Sequence, residues 1–147
     1  MHRAKTTVLT TAVLGSSLAA GVAGSPAVAA DQPYRVEQVC GASYHFVNEL
    51  PLAVPNHPQV GLTVLAYSAE TRKNCAVTFK TTKIGTPSLT AVSLRKQGGK
   101  FRTNKGKFKF YAGPVYVKAP GTCVQFGGLV KVKAGLAVGR TPFGNCG

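Results

Sequence analysis

The sequence predicts an all-β fold: a small antiparallel sandwich or barrel-like domain, stapled by two disulfides and preceded by a removable export signal. Three observations carry this expectation. Beyond residue 31 no stretch shows a helical period, while short period-two runs recur between Gly, Pro and Asn. All four cysteines, Cys40, Cys75, Cys123 and Cys146, lie in that part of the chain. The residues before it have the three zones of an export signal.

Met1 to Lys5 carries Arg3 and Lys5 and no acid, Val8 to Val22 is apolar and small, and Ser25-Pro26-Ala27-Val28-Ala29-Ala30 precedes Asp31. Cleavage after Ala29 puts Ala27 and Ala29 in the small-residue pockets; cleavage after Ala30 puts Val28 and Ala30 there. Both positions stay open. A membrane span needs about 20 strongly apolar residues. Thr11, Gly15, Ser16, Ser17, Gly21 and Gly24 interrupt this stretch, so no transmembrane anchor is expected. There is no Arg-Arg pair to indicate a twin-arginine route. Residues 1–30 are therefore expected to be a cleaved secretion signal. Residues 31–147 are expected to be a single β-rich domain of ordinary size.

The strands are expected in this order. Tyr44 to Asn48 is the first. The stretch Leu50 to Pro58, with Pro51, Pro55 and Pro58, reads as an extended loop. Leu62 to Ser68 follows Gly61. Asn74 to Thr81 sets Cys75, Val77 and Phe79 against Ala76, Thr78 and Lys80. Leu89 to Lys96 sets Val92 and Leu94 against Ser93 and Arg95. Lys107 to Tyr111, Val115 to Lys118, Cys123 to Phe126 and Leu129 to Lys133 complete the series. The turns are expected at Gln97-Gly98-Gly99-Lys100, Ala112-Gly113-Pro114, Ala119-Pro120-Gly121 and Gly127-Gly128. Such alternation belongs to antiparallel sheets with one buried and one wet face.

An even number of cysteines in an exported chain reads as two disulfides. Of the three pairings, Cys40–Cys75 with Cys123–Cys146 is favoured because both close local loops. No Cys-x-x-Cys pair is present, so a four-cysteine zinc site is not expected.

Charge is the most unusual feature. Eighteen Lys and Arg stand against four acids, and none of the acids lies beyond Glu70. Arg95, Lys96, Lys100, Arg102, Lys105, Lys107 and Lys109 fall in one short block. Lys107, Lys109, Lys118, Lys131 and Lys133 all take the outward phase of their expected strands. If those strands share a sheet, its solvent face is a lysine carpet. One reading of such a face is solubility and protection of strand edges from pairing. The other is attraction of anionic polymers of the cell surface, wall teichoic acids, phospholipid head groups, extracellular nucleic acid or acidic polysaccharide. These ten cations, Arg95, Lys96, Lys100, Arg102, Lys105, Lys107, Lys109, Lys118, Lys131 and Lys133, are the candidate polyanion-binding residues.

Catalysis has little to draw on. His45 and His57 are the histidines beyond the signal, and the acids there are Asp31, Glu37, Glu49 and Glu70. Glycoside hydrolysis needs two carboxylates around one bond. A nucleophile triad needs a histidine oriented by an acid. Gly127-Gly128 lacks the Lys-Ser or Lys-Thr of a phosphate-cradling loop. No catalytic residue, cofactor or metal is assigned. Two other small exported basic classes are weighed. A ribonuclease would use Glu70, Arg72, His45 and His57. A protease inhibitor would offer a rigid loop at Ile84 to Ser88 or Leu50 to Pro58.

Several phrases resemble the spore-associated protein A family of streptomycetes and related actinomycetes. They are Cys40-Gly41-Ala42-Ser43-Tyr44, Thr71 to Thr78, Tyr111 to Val117, Gly121 to Gly128 and the terminal Asn145-Cys146-Gly147. Gln125-Phe126 departs from an Asp-Trp-like pair expected in relatives. The resemblance implies a small exported protein found with spores or aerial structures, and it carries over no catalytic residue. The expectation is a secreted, non-enzymatic cell- or spore-surface protein attracted to anionic wall or spore polymers. A cationic antimicrobial protein, a protease inhibitor and, last, a ribonuclease are the alternatives.

Overall fold

Alternating side chains in β2 to β4 bury one face of each strand against the opposite sheet, and this sets the architecture. The computed structural model describes residues 32–147; the expected signal and its cleavage point lie outside them. In chain order the elements are α1 (Val36–Cys40), β1 (His45–Ala53), β2 (Gln59–Ser68), β3 (Lys73–Lys80) and β4 (Ser88–Lys96). Then come β5 (Arg102–Phe108), β6 (Tyr111–Lys118), β7 (Val124–Val132) and β8 (Gly135–Arg140). The first sheet has the order β1-β2-β3-β6 and the second β5-β4-β7-β8. Every pairing is antiparallel. The all-β sandwich is thus the fold.

Leu65, Ala76, Val115 and Val117 of the first sheet meet Val92, Leu94, Val124 and Phe126 of the second. Fully burying side chains of this size contributes roughly 1.5–3 kcal/mol each. β2 and β3 are buried on both faces. Leu62, Val64, Cys75, Val77 and Phe79 face away from the second sheet, and Val36, Cys40 and Tyr44 cover them. The N-terminal segment is therefore a third layer. Gln32 anchors its start by donating from Nε2 to the carbonyls of Lys80 and Phe110 at 3.2 and 3.0 Å. The disulfide Cys40–Cys75 ties its end to β3. The second disulfide is Cys123–Cys146, so both expected pairs form.

Several local expectations are corrected. Leu50 to Ala53 is not loop but the end of β1. β1 is an edge strand, where the donor missing at Pro51 is tolerated. Ala112-Gly113-Pro114 lies inside β6, opposite a register shift between Ala76 and Thr78 that makes room for the extra residue. Gly127-Gly128 is the middle of a continuous β7, not a turn. A Cβ on Gly128 would overlap the Thr63 hydroxyl and lie 2.5 Å from that of Thr78. Glycine is needed there because the sheets approach closely, not because the chain reverses. The five outward lysines do not share one face. Lys107 and Lys131 belong to the second sheet, Lys118 to the first, and Lys109 and Lys133 to segments after β5 and β7.

Candidate polyanion-binding surface

Among the described residues, the outer face of the second sheet has no segment packed over it, unlike that of the first. The outer face of the second sheet is set by the residues alternating with buried Val92, Leu94, Phe126 and Val130. Register places Lys105, Ala91, Leu129 and Val138 in one row across the four strands, and Thr103, Ser93, Gly127 and Arg140 in the next. Lys107 stands opposite Leu89, and Lys131 opposite Leu136. Lys105, Lys107, Lys131 and Arg140 are exposed. So are the apolar Leu136 and Val138, at 49% and 62%. The face is a mixture of cations and apolar side chains, not a uniform lysine carpet.

Its order comes from a stack of rings and guanidinium groups. The Arg95 guanidinium lies 4.4 Å from the Phe101 ring centroid and 4.9 Å from that of Phe143. Arg140 lies 4.5 Å from Phe101. Arg95 Nε also donates to Gln125 Oε1 at 2.8 Å, and Gln125 Nε2 donates to the Thr141 carbonyl. Phe101 precedes β5 and Arg140 ends β8, the two edges of the sheet. Three strand spacings separate those edges by about 14 Å, so the two side chains meet above the middle strands. Ser93 and Gly127 lie beneath them and are small. A Cβ on Gly127 would sit 2.5 Å from the Gly139 carbonyl oxygen and 3.2 Å from Arg140 Cα.

Four of the other candidate cations gather at one end, whereas Lys109 lies beside Tyr34 and Phe110 and Lys133 beside His57 and Thr82. Lys96 closes β4, Lys100 lies in the following hairpin, Arg102 opens β5 and Lys118 closes β6. These four line one open cleft together with Phe101 and Val117. Sequence reading singled out all four but not their convergence across two sheets. It also missed Phe101, Phe143 and Arg140, whose only signal was an aromatic beside the basic block.

Other candidates are kept apart. His45 opens β1 opposite Tyr67, near Glu70 and Arg72, whereas His57 follows the far end of the same strand. The length of β1 separates the histidines by about 25 Å, so the four residues considered for a ribonuclease do not form one site. The Ile84 to Ser88 segment is held in a turn, not extended. Gly85 has φ +86°, and the Thr86 N–H bonds to the Lys83 carbonyl at 3.1 Å. Lys80, fully buried, fastens this turn by donating from Nζ to the carbonyls of Lys83, Thr86 and Phe108. Burial pulls its ammonium below the ordinary lysine range.

Fold and surface define a class: a small β-sandwich with two disulfides, one sheet capped by its own N-terminus and the other bare and basic. Over 131 residues the chain is 32% identical to Spore-associated protein A of Streptomyces coelicolor, an alignment covering 88% of this chain and 81% of that protein. The chain belongs to the spore-associated protein A family. No family model and no solved structure matches it.

Proposed function

We propose that the protein is exported, loses residues 1–29 or 1–30, and acts outside the cell as a non-enzymatic component of the spore or cell surface. It holds there to anionic polymers through the second sheet and its hairpin end. The name of the relative, Spore-associated protein A, supports the spore association. The polarity of charge supports the mode of attachment, and it is the observation that carries the reading. The acids Glu37, Glu49 and Glu70 lie in α1, β1 and the turn after β2, all on the side of the first sheet. Strands β4, β5, β7 and β8 hold Arg95, Lys96, Arg102, Lys105, Lys107, Lys131 and Arg140 and no acid. A field of one sign on one face attracts polyanions and orients them.

The test is retention on isolated spores or walls across a salt series, for the parent and for a variant with Lys105→Gln, Lys107→Gln and Lys131→Gln. Each neutralised phosphate releases counterions, so log affinity should fall with log salt at a slope of about −0.7 to −0.9 per contact. The variant should show a shallower slope and weaker retention. Salt-independent retention, equal in parent and variant, sinks the proposal.

Exposed Leu136 and Val138 on a face that also carries Lys131, directly opposite Leu136, favour a second reading, a cationic antimicrobial protein that docks on anionic lipid. Leakage of anionic vesicles at concentrations that leave neutral vesicles intact would select it.

A further inference from the structure

Charge added for solubility needs no convergence. Like charges lower their mutual repulsion by spreading over a surface. At the β4–β5 hairpin the opposite is seen. Lys96, Lys100, Arg102 and Lys118 line one open cleft of about 420 Å³, whose apolar walls include Phe101 and Val117. All four cations are exposed. Lys118 stands directly opposite Lys73 on β3. Two like charges at directly opposed strand positions destabilise a sheet. Five cations from three parts of the chain thus meet at one end of the sandwich.

The hairpin that carries them is held in place. Gly98 takes φ +75°, and the Gly99 N–H bonds to the Lys96 carbonyl at 2.9 Å. The Gln97 N–H bonds to the carbonyl of Cys123 at 2.9 Å, and Cys123 is itself bridged to Cys146. A Cβ on Gly99 would sit 3.1 Å from Lys96 Cγ. The missing side chain lets the lysine stem lie against the turn. A cleft on a fixed hairpin spends little ordering entropy when a ligand arrives.

We infer that this cleft is a receptor for two adjacent phosphate groups of a linear phosphate chain. The inference rests on the anionic-polymer reading above and gives it a location. Charge complementarity selects the ligand, because four cations around one concavity match several negative charges and Arg102 matches phosphate oxygens in geometry. The spread of the four cations over β4, the hairpin, β5 and β6 suits more than one phosphate. Phe101 also borders the depression on the outer face with Arg140 and Val138. A chain leaving the cleft therefore passes over Phe101 onto the sheet. The phosphates come either from a polyol-phosphate polymer of the wall or from inorganic polyphosphate.

The test uses the mature chain, and titration calorimetry near physiological salt, with inorganic tripolyphosphate and a short glycerol-phosphate oligomer as probes. Two variants each lose three positive charges. The cleft variant carries Lys96→Gln, Lys100→Gln and Arg102→Gln; the face variant carries Lys105→Gln, Lys107→Gln and Lys131→Gln. The parent should bind one probe molecule per chain. The cleft variant should weaken that binding by about tenfold or more, as expected when charge-assisted hydrogen bonds are removed, and the face variant by less than about threefold. The tighter probe identifies the source. All the substituted side chains are exposed, and circular dichroism with a thermal melt confirms that both variants fold. Equal losses in the two variants would overturn the cleft while leaving the diffuse anionic-polymer reading intact. Tripolyphosphate binding no tighter than inorganic phosphate would also overturn it. Absence of binding to either probe, together with salt-independent wall retention, would remove both proposals.

Discussion

A single methyl group placed on Gly128 measures how closely the two sheets approach. Its Cβ would overlap Thr63 Oγ1, lie 2.5 Å from Thr78 Oγ1 and 3.1 Å from Leu52 Cδ1. Thr63 and Thr78 are fully buried, and their hydroxyls share a hydrogen bond of 2.9 Å. Neither hydroxyl can move away without breaking that bond. Overpacking alone costs roughly 1–3 kcal/mol, and a buried hydroxyl left without a partner costs roughly another 1–3. Gly128→Ala should therefore lose about 2–6 kcal/mol, a large part of the 5–15 kcal/mol typical of a whole domain. Urea unfolding followed by far-ultraviolet circular dichroism reads the loss directly. A second variant, Gly128→Ala with Thr63→Ala and Thr78→Ala, removes both hydroxyls and makes room for the methyl, so it should recover at least half of the loss. A Gly128→Ala protein within about 0.5 kcal/mol of the parent, or a triple variant with no recovery, would refute the close-approach argument.

The two disulfides should differ in weight. They span 35 and 23 residues, which in the chain-entropy model corresponds to about 3.8 and 3.4 kcal/mol. Cys40 and Cys75 also fill the core beneath α1, whereas Cys146 is exposed. Cys40→Ala with Cys75→Ala should thus lower the urea midpoint more than Cys123→Ala with Cys146→Ala, and the reverse order would contradict this. Phe101→Leu keeps apolar area but loses the ring face for Arg95 and Arg140, so it should cost about 1–2 kcal/mol. Stability equal to the parent would reduce the stack to packing. Burial raises the Tyr116 phenol, with Tyr44 adding to it. The folded chain then keeps a proton that the unfolded chain has lost. This stabilisation is full below the ordinary tyrosine range and is lost as pH rises through the raised value. Lys80 runs the other way: its lowered value makes the folded chain bind fewer protons, so stability rises between the folded and ordinary lysine values. Tyr116→Phe also removes the 2.8 Å bond to the Cys40 carbonyl. It should lose about 1 kcal/mol at neutral pH and fall less steeply than the parent above about pH 10. An unchanged alkaline slope would argue against the phenol.

The fold was legible where one strand face is apolar and the other is not. Val92 and Leu94 against Ser93 and Arg95 gave β4, and cysteines bordering local loops gave both disulfide pairs. β8 escaped because its pattern is inverted. The large residues Leu136 and Val138 face solvent, while the small Ala137 faces the core. α1 escaped because five residues are too few to show a period. Gly127-Gly128 misled because glycine answers equally to a turn and to a close contact, and only the partner strand decides. The cations of the candidate surface, Arg140 excepted, were singled out in the sequence. Their grouping was not, since Lys118 reaches Lys96 and Arg102 only through the packing of one sheet on the other. The stack of Phe143, Arg95, Phe101 and Arg140 likewise joins residues that no local pattern connects.

The buried Gln32 has a consequence for how the molecule is made. Its side chain is committed to the carbonyls of Lys80 and Phe110, within three residues of either expected cleavage point. A processing enzyme needs an extended, accessible stretch on both sides of the bond that it cuts. In an exported precursor that stretch is the same one that later forms the third layer. On the export proposed above, cleavage comes before Gln32 docks. The layer from Gln32 to Tyr44 covers Leu62, Val64 and Phe79 and brings Cys40 to Cys75. A segment fused directly ahead of Gln32 would compete with that anchoring, so this is the wrong place to attach a tag.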